Sequence, residues 1–336
     1  MKREQLVSVV VPAFNASETI DETLLSIRSQ TYRELEIIVV DDGSTDDTRP
    51  IAARHAAIDD RIQIIVQENA GVAAARNNGW RRARSDLIAF VDADDLWSPR
   101  KIERQVRALA IGGQRVGLVY CWSAPIDKHS QIKEQKDGAV YEGDVLDRLL
   151  LGNFLSNGSS ALVRRQAIVD ARGFESGLRA AGAEGCEDIL FYCRVAERYH
   201  FAVVPDHLVG YRQLDNNMSS DSVRMLRSWM LVTDEMMTTH PDRASTITRG
   251  LSNYSRWLFC KALFDLQFRH AFRVLFLLFR TYPKIAPEIL LKTIPFTLLE
   301  TSRRLLRRAR RPMASGHTGK SRTGNRFVIG ESAGCP

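Results

Sequence analysis

Through its first hundred residues the chain alternates short apolar runs with longer stretches in which apolar residues recur at helical spacing. Val7–Ala13 is dominated by valine, the pattern of a strand buried on both faces. Ser17 is a candidate N-cap for a helix reaching about Ser29. Leu35–Val40 is a second buried strand, closed by the turn-rich Asp41-Asp42-Gly43-Ser44-Thr45. A helix to about Ala57, a strand over Ile62–Val66, a helix over Val72–Arg84 and a strand over Leu87–Val91 follow. The last strand runs directly into Asp92-Ala93-Asp94-Asp95. Alternation of this kind predicts an α/β fold: a mostly parallel sheet flanked by helices, with its chemistry at the carboxyl ends of the strands. Both acidic clusters fall at such ends.

Beyond Val116 the pattern loosens. Short strands are expected at Ala161–Arg164 and Val209–Gln213, and a helix near Asp188–Arg198. Residues 221–311 carry helical periodicity, interrupted at Pro283, Pro287 and Pro295. After Arg311 the composition turns to Gly, Ser, Thr and basic residues, so 312–336 is expected to be a disordered tail. Lys2 and Arg3 ahead of the apolar Leu6–Phe14 mimic a short signal peptide, but Pro12 interrupts the run and no small-residue cleavage site follows. Without a stretch of 18 uncharged apolar residues, a conventional membrane-spanning helix is not expected.

The net charge of +7 would suggest nucleic-acid binding if it were spread over the chain. Residues 241–336 instead hold 18 Lys/Arg against 5 Asp/Glu, leaving the first 240 residues at −6. An acidic body with a basic tail points to surface anchoring and away from a nucleic-acid groove. The five cysteines, Cys121, Cys186, Cys193, Cys260 and Cys335, are scattered and form no CxxC pair. That argues against a disulfide framework or a zinc site and fits a reducing cytosol.

Asp92 and Asp94 lie two apart at a strand end, where both carboxylates can face one side of the turn. Such a pair repels itself unless a divalent cation, Mn²⁺ or Mg²⁺, sits between, sharing its other positions with phosphates and water. A solvated acidic turn would show the same spacing. Asp41 and Asp42 could accept hydrogen bonds from a base or ribose, or could close an Asx-turn ahead of a helix. Glu187-Asp188 opens a helix, where acidic residues are stabilised in any case; one of them could also serve as a general base.

Taken in order, these stretches resemble glycosyltransferase family 2. The similarity runs from about Ser8 to Ser219 and rests on Val9-Val10-Val11-Pro12-Ala13-Phe14-Asn15, Val40-Asp41-Asp42-Gly43-Ser44-Thr45-Asp46 and Gly71 with Ala75-Arg76-Asn77. It continues through Phe90-Val91-Asp92-Ala93-Asp94-Asp95, Arg164-Arg165, Gly173-Phe174-Glu175, Glu187-Asp188 and Tyr211-Arg212. The resemblance implies the GT-A fold, Rossmann-like, over residues 1–220, with a nucleotide-sugar half to about 115 and an acceptor half from about 116. Residues 221–311 would form a helical extension. It also implies an inverting, metal-dependent transfer of a sugar from a nucleoside diphosphate, UDP foremost, to a hydroxyl of a saccharide or lipid-linked acceptor, in cell-surface polysaccharide or glycolipid synthesis. By the same resemblance Pro12, Phe14, Asp41, Asp42, Arg76 and Asp92 would bind the donor. Asp94 with Asp92 would hold the cation, Asp188 would be the catalytic base and Glu187 its neighbour.

Two departures accompany the match. Leu214 stands where the family often has His after the Tyr-Arg pair. The Gln-x-x-Arg-Trp string of processive members is only approximated by Asn253-Tyr254-Ser255-Arg256-Trp257, beyond the matched region, so a non-processive enzyme is expected. Ala314–Ser321 fits a permissive phosphate-loop pattern but lacks the strand before it and the helix after it that the mechanism requires. A nucleotide-sugar-binding module without activity would be expected to lack some of the acidic residues, and all are present. A sugar nucleotidyltransferase would want a Gly-rich, basic first loop in place of Pro12-Ala13-Phe14-Asn15. Finally, Leu258–Arg311 mixes apolar residues with Arg269, Arg273 and Arg280 near one helical face and a dense basic end from Arg303 to Arg311. That pairing predicts a cytoplasmic protein held peripherally on an anionic membrane surface, or else a packed helical subdomain with a basic edge.

Overall fold

The computed structural model describes residues 5–214, 221–291 and 325–329. Eight strands form one sheet: β1 (Val7–Ala13), β2 (Leu35–Asp41), β3 (Ile62–Val66), β4 (Leu87–Phe90), β5 (Leu96–Trp97), β6 (Val116–Ile126), β7 (Leu162–Arg164) and β8 (His200–Arg212). Their order is β3-β2-β1-β4-β7-β6-β8-β5. The first four are parallel, β7 is antiparallel to both neighbours, and β6 and β8 run parallel to each other. The helices are α1 (Ile20–Arg28), α2 (Thr48–Ala56), α3 (Val72–Arg82), α4 (Lys101–Gly112), α5 (Leu146–Leu151), α6 (Arg165–Asp170), α7 (Gly177–Ala180), α8 (Glu187–Ala196), α9 (Ser222–Thr239), α10 (Ala244–Phe264) and α11 (Phe268–Thr281).

Because successive strand residues point to opposite faces, β1 divides its side chains between two cores. Val7, Val9 and Val11 join Ile20, Leu24 and Ile27 of α1. Val10 joins Ile38, Val40 and the helical side that includes Ile189 of α8, Trp229 of α9 and Leu258 of α10. The second core is continuous from the sheet to α11, so the C-terminal helices extend the α/β body. Gly250 of α10 lets the backbones touch, since a Cβ there would overlap the Leu150 carbonyl oxygen of α5.

Two local expectations change. Ser17 does not cap α1: the helix begins at Ile20 without a side-chain cap, and the Ser17 N–H instead donates to Asp46 at 3.0 Å. Within the expected tail, residues 325–329 pack on the α/β body. The Phe327 side chain is buried with Leu96 and Ile126, its N–H donates to the Ser130 carbonyl at 2.9 Å, and Arg326 pairs with Glu22 at 3.0 Å. The physical reason is the single aromatic ring, which fills the edge beside β5. The phosphate-loop-like string and the Arg303–Arg311 cluster lie outside the described residues.

Candidate active site

The strand order reverses between β1 and β4, the place where open α/β sheets form a crevice at their carboxyl ends. β1 pairs with β4 only as far as Val10. Pro12, which has no N–H to donate, follows that point, and the two chain ends diverge around the acidic residues.

On the β2 side, Asp41 and Asp42 are both buried but do different work. Asp42 accepts from Gln67 Nε2 at 2.7 Å and from the backbone N–H groups of Ala70 and Gly71 at 2.8 Å each. Its carboxylate is engaged in shaping the entry to α3. Asp41 accepts from the Ser44 N–H at 3.0 Å through Oδ1, and its Oδ2 has only Arg49 at 3.4 Å. Pro12 is buried beneath this turn while Phe14 is exposed above it. Asn15, with a left-handed φ of 49°, ties the two loops together by accepting from the Thr45 N–H at 2.9 Å.

On the β4 side, Arg76 is the hub. Projecting from α3 with 3% of its side chain exposed, it donates to Asp92 at 2.7 Å and to Glu187 at 3.3 Å, and it lies 5.2 Å from the Phe174 ring centre. Burial opposes its charge, and Asp92 and Glu187 more than restore it. Gly158 leaves room for this guanidinium, since a Cβ there would overlap Arg76 Nη2 and approach Asp92. Asp95 is fully buried and structural, accepting from Ser159 Oγ at 2.5 Å and the Arg212 N–H at 2.9 Å. Arg212, the arginine of the Tyr-Arg pair, is a buried staple: it donates to the Asp94 carbonyl at 2.7 Å and to Glu22 at 2.7 Å. Leu214 follows it, half-buried.

Asp94 remains half-buried, and burial together with the Asp92 charge pushes its carboxyl up to about 6; its own N–H and Arg212 offset only part of this. A carboxylate under-compensated by the protein, beside a second one, suits a divalent cation. Among the described residues no group of three His, Cys, Asp or Glu side chains could hold a metal ion. A Mn²⁺ or Mg²⁺ at Asp92 and Asp94 would therefore take its other oxygens from phosphate and water, as these ions do.

Glu187 and Asp188 begin α8. Glu187 also accepts from the Gly185 N–H at 3.0 Å, which leaves Asp188 as the carboxylate free of Arg76 hydrogen bonds. Asp188 accepts from the Ile189 N–H at 2.7 Å and from Asn153 Nδ2 at 3.1 Å. Burial, then the neighbouring Glu187 charge, push it up to about 7, with Arg76 pulling the other way. Asn153, Gly158 and Ser159 were not singled out by the sequence reading; their only signal is an Asn/Gly/Ser cluster between a helix and a strand, which reads as loop. The Asn253–Trp257 string lies on α10, where Tyr254 stacks on Trp229 at 4.2 Å and its hydroxyl stands 3.5 Å from Cys186 Sγ, just ahead of Glu187.

Residues 8–170 match the family model described as glycosyl transferase family 2. The domain belongs to that family, and the protein is a glycosyltransferase. TuaG of Bacillus subtilis, named for teichuronic acid biosynthesis, is 29% identical over 227 residues, 58% of this chain and 90% of that protein. Other relatives match over a shorter share: the chain spans 33% of EpsH of Bacillus subtilis at 41% identity. It spans 40% of WfgD of Escherichia coli, a UDP-Glc:α-D-GlcNAc-diphosphoundecaprenol β-1,3-glucosyltransferase, at 39% identity over 31% of this chain. Among solved structures, the mannosyltransferase PcManGT of Pyrobaculum calidifontis, in complex with GDP-Man and Mn²⁺, superposes with a TM-score of 0.60 at 21% identity, covering 90% of this chain and 84% of that one. TarS 1–349 of S. aureus in complex with UDP-GlcNAc gives 0.59 at 18% identity, over 74% and 72%. At these identities the superpositions establish the GT-A fold with its helical C-terminal region.

Proposed function

We propose that this glycosyltransferase moves a sugar from a nucleoside diphosphate, a UDP-sugar foremost, to a hydroxyl of a saccharide or lipid-linked acceptor with inversion at the anomeric carbon, in cell-surface polysaccharide or glycolipid synthesis. The observation that carries the reading is the pair of ionisable sites joined through Arg76: Asp92 with Asp94 on one side, Glu187 with Asp188 on the other. The lipid-linked acceptor of WfgD and the teichuronic acid biosynthesis for which TuaG is named support the acceptor class, and the nucleotide sugars in the TarS and PcManGT structures support the donor class.

In this reading Asp41, Pro12 and Phe14 receive the nucleoside, with Asp41 Oδ2 as the acceptor for its N–H or O–H groups. A divalent cation held by Asp92 and Asp94, when bound, supplies positive charge that makes the diphosphate a better leaving group. Arg76 fixes Asp92 and supplies the counter-charge to Glu187. Asp188, poised near neutrality, takes the acceptor's hydroxyl proton as its oxygen attacks from the face opposite the diphosphate, a role worth roughly 10²–10⁴-fold. Asn153 holds the Asp188 carboxylate in one orientation.

The test is nucleoside-diphosphate release from a panel of UDP-, GDP- and TDP-sugars with saccharide and lipid-linked acceptors, wild type against Asp188→Asn. Acceptor-dependent release by the wild type alone is expected. Equal turnover by the variant would refute Asp188 as the base.

A further inference from the structure

α11 carries two apolar stripes, and among the described residues one of them is covered. Ala271, Val274 and Leu278 are buried against the core shared with α9 and α10. Phe268, Phe272, Phe276 and Phe279 recur at intervals of four, four and three, so they line a second stripe of the same helix. Each is between 60% and 70% exposed, and the Phe272 and Phe276 rings stack at 6.4 Å. By helical geometry this stripe is bordered, on the side away from the buried seam, by Arg269, Arg273 and Arg280. All three are exposed, and α11 contains no acidic residue. Immediately before the helix, Leu266 sits in the left-handed region at φ 58° and is also exposed. That conformation is unfavourable for a residue with a Cβ. It is held by the Leu266 N–H donating to the Leu263 carbonyl at 3.1 Å and the Gln267 N–H to the Ala262 carbonyl at 2.8 Å.

A ridge of four exposed phenylalanines and a leucine goes beyond the singly scattered apolar residues of an ordinary surface. We infer that this face of α11 docks on an anionic lipid bilayer, the aromatic rings entering the acyl boundary while Arg269, Arg273 and Arg280 meet the phosphates. Charge decides the occupant. A second copy would bring the same three arginines against its own, and the 292–324 stretch of this chain, with Arg303, Arg304, Arg307 and Arg308, is of like sign. Negatively charged headgroups complement the border. The inference rests on α11 alone and stands whichever sugar is transferred.

Sedimentation of the full-length protein with sucrose-loaded vesicles tests it, using phosphatidylcholine with and without phosphatidylglycerol. Wild type is expected to sediment with the phosphatidylglycerol vesicles, with binding that weakens but persists as salt rises. The pair Phe272→Ser with Phe276→Ser should lower partitioning by about tenfold or more, because two aromatic side chains no longer leave water. Its circular dichroism and its activity on a water-soluble acceptor should stay at wild-type level. The triple variant Arg269→Gln, Arg273→Gln and Arg280→Gln should lose the preference for the anionic lipid. Failure of wild type to bind either vesicle, or undiminished binding by the phenylalanine variant, overturns the inference. A wild-type dimer in light scattering that the phenylalanine variant turns into a monomer would assign the stripe to a second copy instead. Binding that emerges only after proteolysis beyond residue 291 would assign it to the chain's own C-terminal segment.

Discussion

Replacing Arg76 with methionine keeps an unbranched stem of similar length and removes the cation that Asp92 and Glu187 share. The two contacts are 2.7 and 3.3 Å, and the Arg76 side chain is 3% exposed. At an effective dielectric near 20, an ion pair in contact interacts by about 4 kcal/mol. Stripping one partner from a buried pair costs about 3–5 kcal/mol, because the charge left behind stays out of water. Asp92 is 27% exposed and can regain hydration, whereas Glu187 at 10% cannot, so the loss falls mainly on Glu187. We therefore expect a destabilisation of about 3 kcal/mol, the low end of that range. A second effect follows at Asp188, where Arg76 partly counters the upward push of burial and Glu187. Without Arg76 the Asp188 carboxyl rises further above about 7, so the base is deprotonated only at higher pH. Urea denaturation measures the first effect, and kcat/KM against pH measures the second. The acid limb should move to higher pH in Arg76→Met and lie between the two in Arg76→Lys, which keeps the charge and loses the fork. Unchanged denaturation together with a superimposable pH profile would refute Arg76 as the shared counter-charge.

Asp94→Ala should abolish metal-dependent UDP binding; calorimetry with UDP and Mn²⁺ checks this, and undiminished affinity would remove Asp94 from the cation site. Asp188→Asn should lower turnover by roughly 10²–10⁴-fold with donor affinity kept. In the wild type the folded state favours the protonated Asp188, so its contribution to stability falls as pH rises from about 4, the unfolded value, to about 7. The asparagine variant should accordingly be no less stable than wild type above neutrality, with the difference closing below pH of about 4 in thermal melts. Gly250→Ala should cost about 1–3 kcal/mol in urea denaturation, since a methyl must fit against the Leu150 carbonyl; an unchanged midpoint would mean that α10 does not depend on this contact.

The nucleotide-binding half was legible because its signals are local. β1 to β4 are rich in valine, isoleucine and leucine, β2 and β4 run into the acidic clusters, and the observed strands match the expected ones within a few residues. The second half was legible only in part. The patterns at Ala161–Arg164 and Asp188–Arg198 correspond to β7 and α8, but Val209–Gln213 marks only the end of β8, which runs from His200 to Arg212. Pro205, Asp206 and His207 interrupt the apolar pattern, and a register shift near Trp122 absorbs them, with Val204 and His207 opposing neighbouring residues of β6. The candidate site divides the same way. Acidic pairs at strand ends are visible along the chain, while the Arg76 bridge to Glu187 spans 111 residues and leaves no periodic trace. Asp42 shows the limit most clearly: the local turn bond is made by Asp41, which accepts from the amide three residues on, and Asp42 reaches 28 and 29 residues forward to the amides of Ala70 and Gly71.

The short segment at 325–329 has a consequence for how the protein is made. A ribosome delivers Glu22, Leu96 and Ile126 long before Phe327 and Arg326, so the sheet edge next to the acidic cluster emerges with its apolar pair uncovered. Completion of this sheet edge therefore waits for codons far downstream of those for the strands, and a chaperone that shields exposed leucine and isoleucine has that interval in which to act. A premature stop just after residue 291 would leave every acidic residue of the site encoded. It would nonetheless deprive Leu96 and Ile126 of Phe327, and Glu22 of its pairing with Arg326. A nonsense mutation downstream of the site would in this way injure it while its own codons are intact.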